Sequence, residues 1–174
     1  MSGKIKAVFM DRDGTLIHEK PGTYLSDPAK VRPYKSTAPA LALLKEHGFK
    51  LFIVSNQSGI GRGYYTLDDF TKLNAWMLHK FAQKGITITK TYFCPHAPEE
   101  NCECRKPKPG MFLEALKEFD IDMAYSWMIG DKESDIQAAK SAHVAHTVLV
   151  KSGHAIDETH TTAEYVVNGV FDTI

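Results

Sequence analysis

The sequence predicts an α/β fold: a doubly wound, Rossmann-like parallel sheet with helices on both faces. Strand and helix signals alternate along the chain, and the strand segments are short, continuously apolar runs, as expected of strands buried on both faces. Charged and polar residues crowd directly after those runs. In an open α/β sheet that edge, at the carboxyl ends of the strands, is where ligands bind.

The first strand is "AVFM" (7–10), which runs straight into Asp11, Arg12 and Asp13 before Gly14 breaks the pattern. After a polar, proline-containing stretch, "STAPALALLKEHG" reads as a helix, with Ser36 or Thr37 at its cap and Gly48 at its end. "KLFIVS" (50–55) is the second strand and opens into the glycine-spaced loop "NQSGIGRGYY". Thr66 with Asp69 three residues on marks a helix start, and Phe70, Leu73, Met77, Leu78 and Phe81 share one face of that helix.

"ITITKTYFC" (86–94) is the third strand. It is followed by a cysteine-bearing loop and by the helix "GMFLEALKEF", whose inner face carries Phe112, Ala115, Leu116 and Phe119. "YSWMIGD" supplies a fourth strand, "KESDIQAAKSA" a helix, "HTVLVK" a fifth strand and "AEYVVN" a short sixth. Residues 1–174 read as a single domain with a loop insert at 94–110.

Composition narrows the function. Twenty-one basic and 21 acidic residues cancel, so no global field recruits nucleic acid or an anionic membrane. No apolar run approaches the length of a membrane span, and "MSGKIKAVFMD" lacks a signal peptide's apolar region; a cytoplasmic monomer is expected. All 3 cysteines lie within "CPHAPEENCEC", an odd, clustered set that argues for metal rather than a disulfide framework. Cys94, His96, Cys102 and Cys104 match a closed Cys₃His tetrahedral site for a structural Zn²⁺, and the surrounding prolines deny the loop regular structure of its own. The other histidines, His154 among them, read as surface or helix-end residues, with His18 near the site.

Two carboxylates aimed at one place repel unless a cation or a shared proton resolves them. Asp11 and Asp13 from the first strand and Asp131 from the fourth offer hard oxygen donors suited to Mg²⁺, which would also draw in an anionic substrate.

"DRDGT", "VSNQSG", "RKPKPG" and "GDKESD", in this order, resemble the four motifs of the haloacid dehalogenase-like phosphatase superfamily, over about residues 5 to 150. The resemblance implies that Asp11 is the nucleophile and Asp13 the general acid and base. It implies that Ser55 and Lys106 hold the phosphoryl oxygens, and that Mg²⁺ sits on Asp11, the Asp13 carbonyl and Asp131, with Lys132 and Asp135 one layer further out.

The cysteine loop resembles the zinc-loop branch of that superfamily, which has no large cap domain and contains heptose-bisphosphate and histidinol-phosphate phosphatases. "NQSGIGRGYYT" and "CRKPKPGM" are similar to the heptose members, whereas "HEKPGTYLSD" departs from the short turn common there, and Ser55 stands where threonine is common. The implied substrate is a small sugar bisphosphate, D-glycero-D-manno-heptose 1,7-bisphosphate, on the route to nucleotide-activated heptose and lipopolysaccharide core. Asn56, Gln57 and Ser58 would face its hydroxyls and Arg105 its second phosphate. The alternatives are a histidinol-phosphate phosphatase and, outside enzymes, a zinc-knuckle interaction module whose acids are structural. Turnover of a generic phosphate ester separates the last from the first two.

Overall fold

The structure, a computed structural model, describes residues 3–20 and 22–170. Its centre is a six-stranded parallel sheet of order β3-β2-β1-β4-β5-β6. The strands are β1 (Ala7–Met10), β2 (Lys50–Asn56), β3 (Ile88–Cys94), β4 (Trp127–Gly130), β5 (His146–Val150) and β6 (Tyr165–Val167). The helices are α1 (Thr37–Glu46), the single turn α2 (Ser58–Gly61), α3 (Leu67–Ala82), α4 (Gly110–Glu118) and α5 (Glu133–Ser141). The predicted fold class is the observed one. Among the described residues no helix is long and apolar enough to cross a membrane.

The continuous apolar runs have a simple cause. Alternate residues of β1 and β2 feed two different cores, so neither face can be polar. Val8, Met10, Leu51 and Ile53 pack with Leu41 of α1 and with Leu73, Met77 and Phe81 of α3 on one side. Ala7, Phe9, Phe52 and Val54 pack with Met111, Phe112 and Ala115 of α4 and with Ala138 and Ala139 of α5 on the other. Phe9 lies 5.4 Å from Phe52 and 4.9 Å from Phe112, ring to ring.

The helix starts fall where the sequence places them, with Ser36 as the N-cap of α1 and Thr66 as that of α3. Thr66 and Asp69 cap α3 reciprocally, hydroxyl to Asp69 N–H at 3.0 Å and carboxylate to Thr66 N–H at 2.8 Å. At α1, Ser36 makes no side-chain cap bond; the Thr37 hydroxyl instead donates to the Leu16 carbonyl at 2.7 Å, tying α1 to the loop after β1. Leu116 is not on the inner face of α4. It is 37% exposed, because the buried stripe of this helix runs through Met111, Phe112 and Ala115. Leu78, at the edge of the α3 stripe, is partly buried.

The strand order decides where chemistry can occur. Chain connections run outward from β1 to β2 and β3 on one side, and outward from β4 to β5 and β6 on the other. The crevice at β1 and β4 is therefore the topological switch point, where open α/β sheets bind ligands.

Candidate active site and metal centres

Asp11 and Asp131 follow the paired strands β1 and β4, and the Asp11 N–H donates to the Ile129 carbonyl at 3.0 Å, which brings the two carboxylates to one place. Asp131 is wholly buried and accepts from the Thr15 hydroxyl at 3.2 Å. Backbone closes around it. A β-carbon on Gly14 would fall 2.3 Å from its Oδ2, and one on Gly153 would fall 2.1 Å away, so both positions require glycine, and Gly14 also has a φ of +85°.

Lys106 reaches the same point from the loop after β3. Its Nζ donates to Asp11 Oδ1 at 3.0 Å, to the Val54 carbonyl at 2.7 Å and to Asp135 Oδ1 at 2.5 Å, and the residue is only 3% exposed. Burial penalises the charge on Asp11, but the Lys106 ammonium outweighs it and holds the carboxyl below its usual range. Burial and the charges of Asp11 and Asp135 push Asp131 the other way, up to about 9. Burial also lifts Asp135 to about 6 against the pull of Lys106.

Donor oxygens of Asp11, Asp131 and Asp135 lie within 4.8 Å of one another. Three buried carboxylates around one ammonium are short of positive charge, and the raised Asp131 shows where the deficit falls. The donor set fits a hard divalent cation.

Asp13 lines the mouth of the site, its side chain 14% exposed. The adjacent cleft of about 500 Å³ is also lined by Asn56, Gln57, Ser58, Arg105, Lys106 and Lys132. Arg105 Nη1 is buried there with no hydrogen-bond partner among the described residues. Ser55, 1% exposed, accepts from Gln57 Nε2 at 2.8 Å, which leaves its O–H free to donate.

Two of the residues expected to face sugar hydroxyls are otherwise engaged. The Asn56 amide clamps the Lys106 backbone, Nδ2 to carbonyl at 3.1 Å and N–H to Oδ1 at 3.0 Å. Gln57 is 2% exposed and bonds to Asp13, Ser55, Arg12 and Tyr65. Asn56 thus fastens the Lys106 backbone and Gln57 the Asp13 and Ser55 side chains, and Ser58 alone of the three has a half-buried side chain at the cleft without such bonds.

His154, read from the sequence as a surface residue, is in the site. Its Nδ1 bonds to Asp131 Oδ2 and its Nε2 lies 3.5 Å from Glu19 Oε2. Glu19 belongs to the departing stretch after β1, of which Pro21 lies outside the described residues. Burial and the charge of Asp13 push Glu19 up to about 7, while burial and Lys132 push His154 down. The signal was available: His154 follows β5 as Asp131 follows β4. His18 is exposed and its ring lies against that of Tyr34, tilted by 43° with centroids 3.9 Å apart.

The cysteine loop forms a second centre. Cys94 Sγ, His96 Nδ1, Cys102 Sγ and Cys104 Sγ all lie within 4.8 Å of one another, and five of the six pairs are in contact at 2.8 to 3.5 Å. Burial and the neighbouring sulfurs drive the Cys94 thiol up, while Cys102 falls to about 7. Three sulfurs and an imidazole nitrogen converging on one point are the donor set of a structural zinc site. The loop is fastened to α2 by the Gly61 N–H, which donates to the Pro95 carbonyl at 2.8 Å.

Acids at the switch point of a doubly wound sheet, with a lysine delivered to them from a later loop, define a phosphoryl-transfer site of the HAD type, and residues 103–174 match the HAD-hydrolase-like family model. The D-glycero-beta-D-manno-heptose-1,7-bisphosphate 7-phosphatase of Pasteurella multocida is 42% identical, covering 96% of this chain and 94% of its own. That of Helicobacter pylori strain 26695 is 45% identical over 83% of each. The crystal structure of the D,D-heptose 1,7-bisphosphate phosphatase from B. bronchiseptica, complexed with magnesium and phosphate, matches with a TM-score of 0.85. It is 26% identical and covers 97% of this chain and 96% of that one. The chain belongs to the heptose-1,7-bisphosphate 7-phosphatase family of HAD-like hydrolases.

Proposed function

We propose that this protein is a Mg²⁺-dependent phosphoric monoester hydrolase that removes the 7-phosphate of D-glycero-β-D-manno-heptose 1,7-bisphosphate through an aspartyl-phosphate on Asp11. One observation carries the reading: Asp11, whose carboxyl Lys106 holds below its usual range, lines a small pocket that shares Asp13, Asn56, Lys106 and Lys132 with the cleft lined by Arg105 and its unpartnered Nη1, which provides a place for each phosphate. The names of the relatives support the substrate and its anomer.

Asp11 attacks phosphorus while Asp13 protonates the leaving oxygen; Asp13 then takes a proton from the water that hydrolyses the acyl phosphate. Ser55 and Lys106 bind the phosphoryl oxygens as hydroxyl donor and fixed charge. Asp11, Asp131 and the Asp13 carbonyl would hold Mg²⁺, with Asp135 and Lys132 around them; when bound, the ion neutralises charge on the transferring group. Cys94, His96, Cys102 and Cys104 would hold Zn²⁺, bracing the loop that delivers Arg105 and Lys106.

Arg105→Ala should raise KM for the bisphosphate and lower kcat/KM by roughly 1.5–3 kcal/mol, the scale of one lost charged hydrogen bond. An aryl monophosphate should be affected far less. Steady-state kinetics with the bisphosphate, histidinol phosphate and an aryl phosphate test this; histidinol phosphate as the best substrate, or an equal loss on all three, sinks the heptose assignment.

Asp131 makes Mg²⁺ binding pH-dependent. Its carboxyl is raised to about 9, so the metal-free protein carries a proton there at neutral pH, and the cation must displace it. Affinity should therefore rise with pH, approaching tenfold per unit for one proton released. Calorimetry in buffers of different ionisation enthalpy measures that release directly, and a pH-independent affinity contradicts it.

Zinc should co-purify at about one ion per chain, as expected of a four-ligand site. Cys104→Ser should lower both zinc content and melting temperature. Elemental analysis that finds no zinc in carefully handled protein rules the structural site out.

A further inference from the structure

Arg12 was read from the sequence only as the residue between two acids, yet it is fully buried. Its Nε donates to Asp13 Oδ1 at 3.0 Å and its Nη2 to Asp13 Oδ2 at 3.0 Å and to Gln57 Oε1 at 3.2 Å. The guanidinium carbon sits 5.3 Å from the centre of the Phe70 ring. Gln57 Nε2 donates to Asp13 Oδ2 at 2.9 Å, and Tyr65, 7% exposed, donates its hydroxyl proton to Gln57 Oε1. Tyr65 is in turn seated on Gly59, where a β-carbon would fall 2.1 Å from its ring.

We propose that Arg12, Gln57 and Tyr65 are positioning residues that form a buried frame around Asp13 and select Oδ1 as the atom that carries and delivers its proton. Each carboxylate oxygen has two acceptor sites. Those of Oδ2 are filled by Arg12 Nη2 and Gln57 Nε2, whereas Oδ1 receives Arg12 Nε alone and keeps one site free. In the transfer step an Asp11 oxygen forms a bond to phosphorus and the bond from phosphorus to the leaving oxygen breaks. Its electron pair stays on that oxygen, which takes the proton from Asp13 Oδ1. The same Gln57 nitrogen also holds Ser55, so the acid and a phosphoryl-binding hydroxyl are registered to one amide. This inference rests on Asp13 being the proton donor proposed above.

A frame that acts through the acid matters only when the leaving group needs a proton; a merely structural frame slows every ester alike. The test measures kcat/KM, which reports the transfer to Asp11, for the heptose bisphosphate, phenyl phosphate and 4-nitrophenyl phosphate. Arg12→Lys, which keeps the charge but loses the fork, should lower the value by about tenfold or more for the first, and by less than about threefold for 4-nitrophenyl phosphate, whose leaving group departs unprotonated. The dependence of rate on leaving-group acidity should steepen accordingly. Tyr65→Phe removes one hydroxyl from the frame and leaves Arg12 in place; it should shift the ratio in the same direction by a smaller factor, and provides the test should Arg12→Lys fail to fold. In an Asp13→Asn background neither change should alter the ratio further. Equal losses on all esters, or no loss, overturn the frame. If Asp13→Asn itself fails to discriminate among esters, the assignment of the acid falls with it; discrimination by Asp13→Asn but not by the frame variants refutes the frame alone.

Discussion

Asp11→Asn is expected to abolish turnover of every phosphate ester, by about 10⁴-fold or more, while leaving the fold intact. An amide oxygen does not attack phosphorus, and no neighbouring group can replace it: Asp131 is enclosed by Gly14 and Gly153, and Asp135 is bonded to Lys106 and to the Lys132 N–H at 3.1 Å. Stability should change little. The substitution removes one of three crowded carboxylates, and Lys106 keeps Asp135 and the Val54 carbonyl as partners. Relieved of the Asp11 charge, Asp131 should also titrate at lower pH than in the parent. Activity and thermal melting therefore separate cleanly. A variant that melts like the parent and is inactive fits a nucleophile, whereas substantial residual activity in Asp11→Asn excludes the covalent route.

The sheet was legible because burial on both faces erases the alternation of β1 and β2, and β4 and β5 read the same way. Asp11, Lys106 and Asp131 were legible because each sits just beyond a strand, or in a loop of unusual charge, at the one edge where such sheets bind ligands. Gly153 and His154 lie just beyond β5 and meet Asp131 at the same edge, but no run of acids marks them as it marks the ends of β1 and β4.

Other features leave no local trace. Polar residues at the end of β2 look substrate-facing, but the sequence does not say that the hydrogen-bonding capacity of Asn56 and Gln57 is satisfied internally. Arg12 between two acids looks like a surface turn; its burial follows from Phe70 on α3 and Gln57 after β2, contacts 58 and 45 residues away in the chain. Leu116 failed for a smaller reason: on a nine-residue helix, a stripe centred on Phe112 and Ala115 leaves its neighbour at the margin.

Lys106→Met should be the most destabilising single change in the site. The parent ammonium, on a side chain 2% exposed, balances Asp11 and Asp135, whose side chains are 9% and 1% exposed, and its loss also strands the Val54 carbonyl. Breaking a buried pair costs about 3–5 kcal/mol, because the remaining charges stay buried without a partner. For a chain of this size that corresponds to a fall in melting temperature of roughly 6–20 °C.

The sign of the pH dependence follows from both partners. The folded pKa of Asp11 is depressed, so its share of the stability is present above the unfolded value of about 3.9 and is lost as pH falls through the folded value. The folded pKa of Lys106 is raised, burial notwithstanding, by Asp11 and Asp135; its share is present below about 10.4 and is lost as pH climbs through the folded value. The gap between parent and variant should therefore be widest near neutrality and close toward both extremes. Mg²⁺ should narrow it as well, since a divalent cation on Asp11 and Asp131 restores positive charge to the same cluster, yet it should not restore turnover, because the phosphoryl group still lacks its ammonium. Melting curves with and without Mg²⁺ from about pH 2 to about pH 12, reaching beyond both unfolded values, measure all of this. A gap that does not vary with pH would mean that Lys106 stabilises by packing alone.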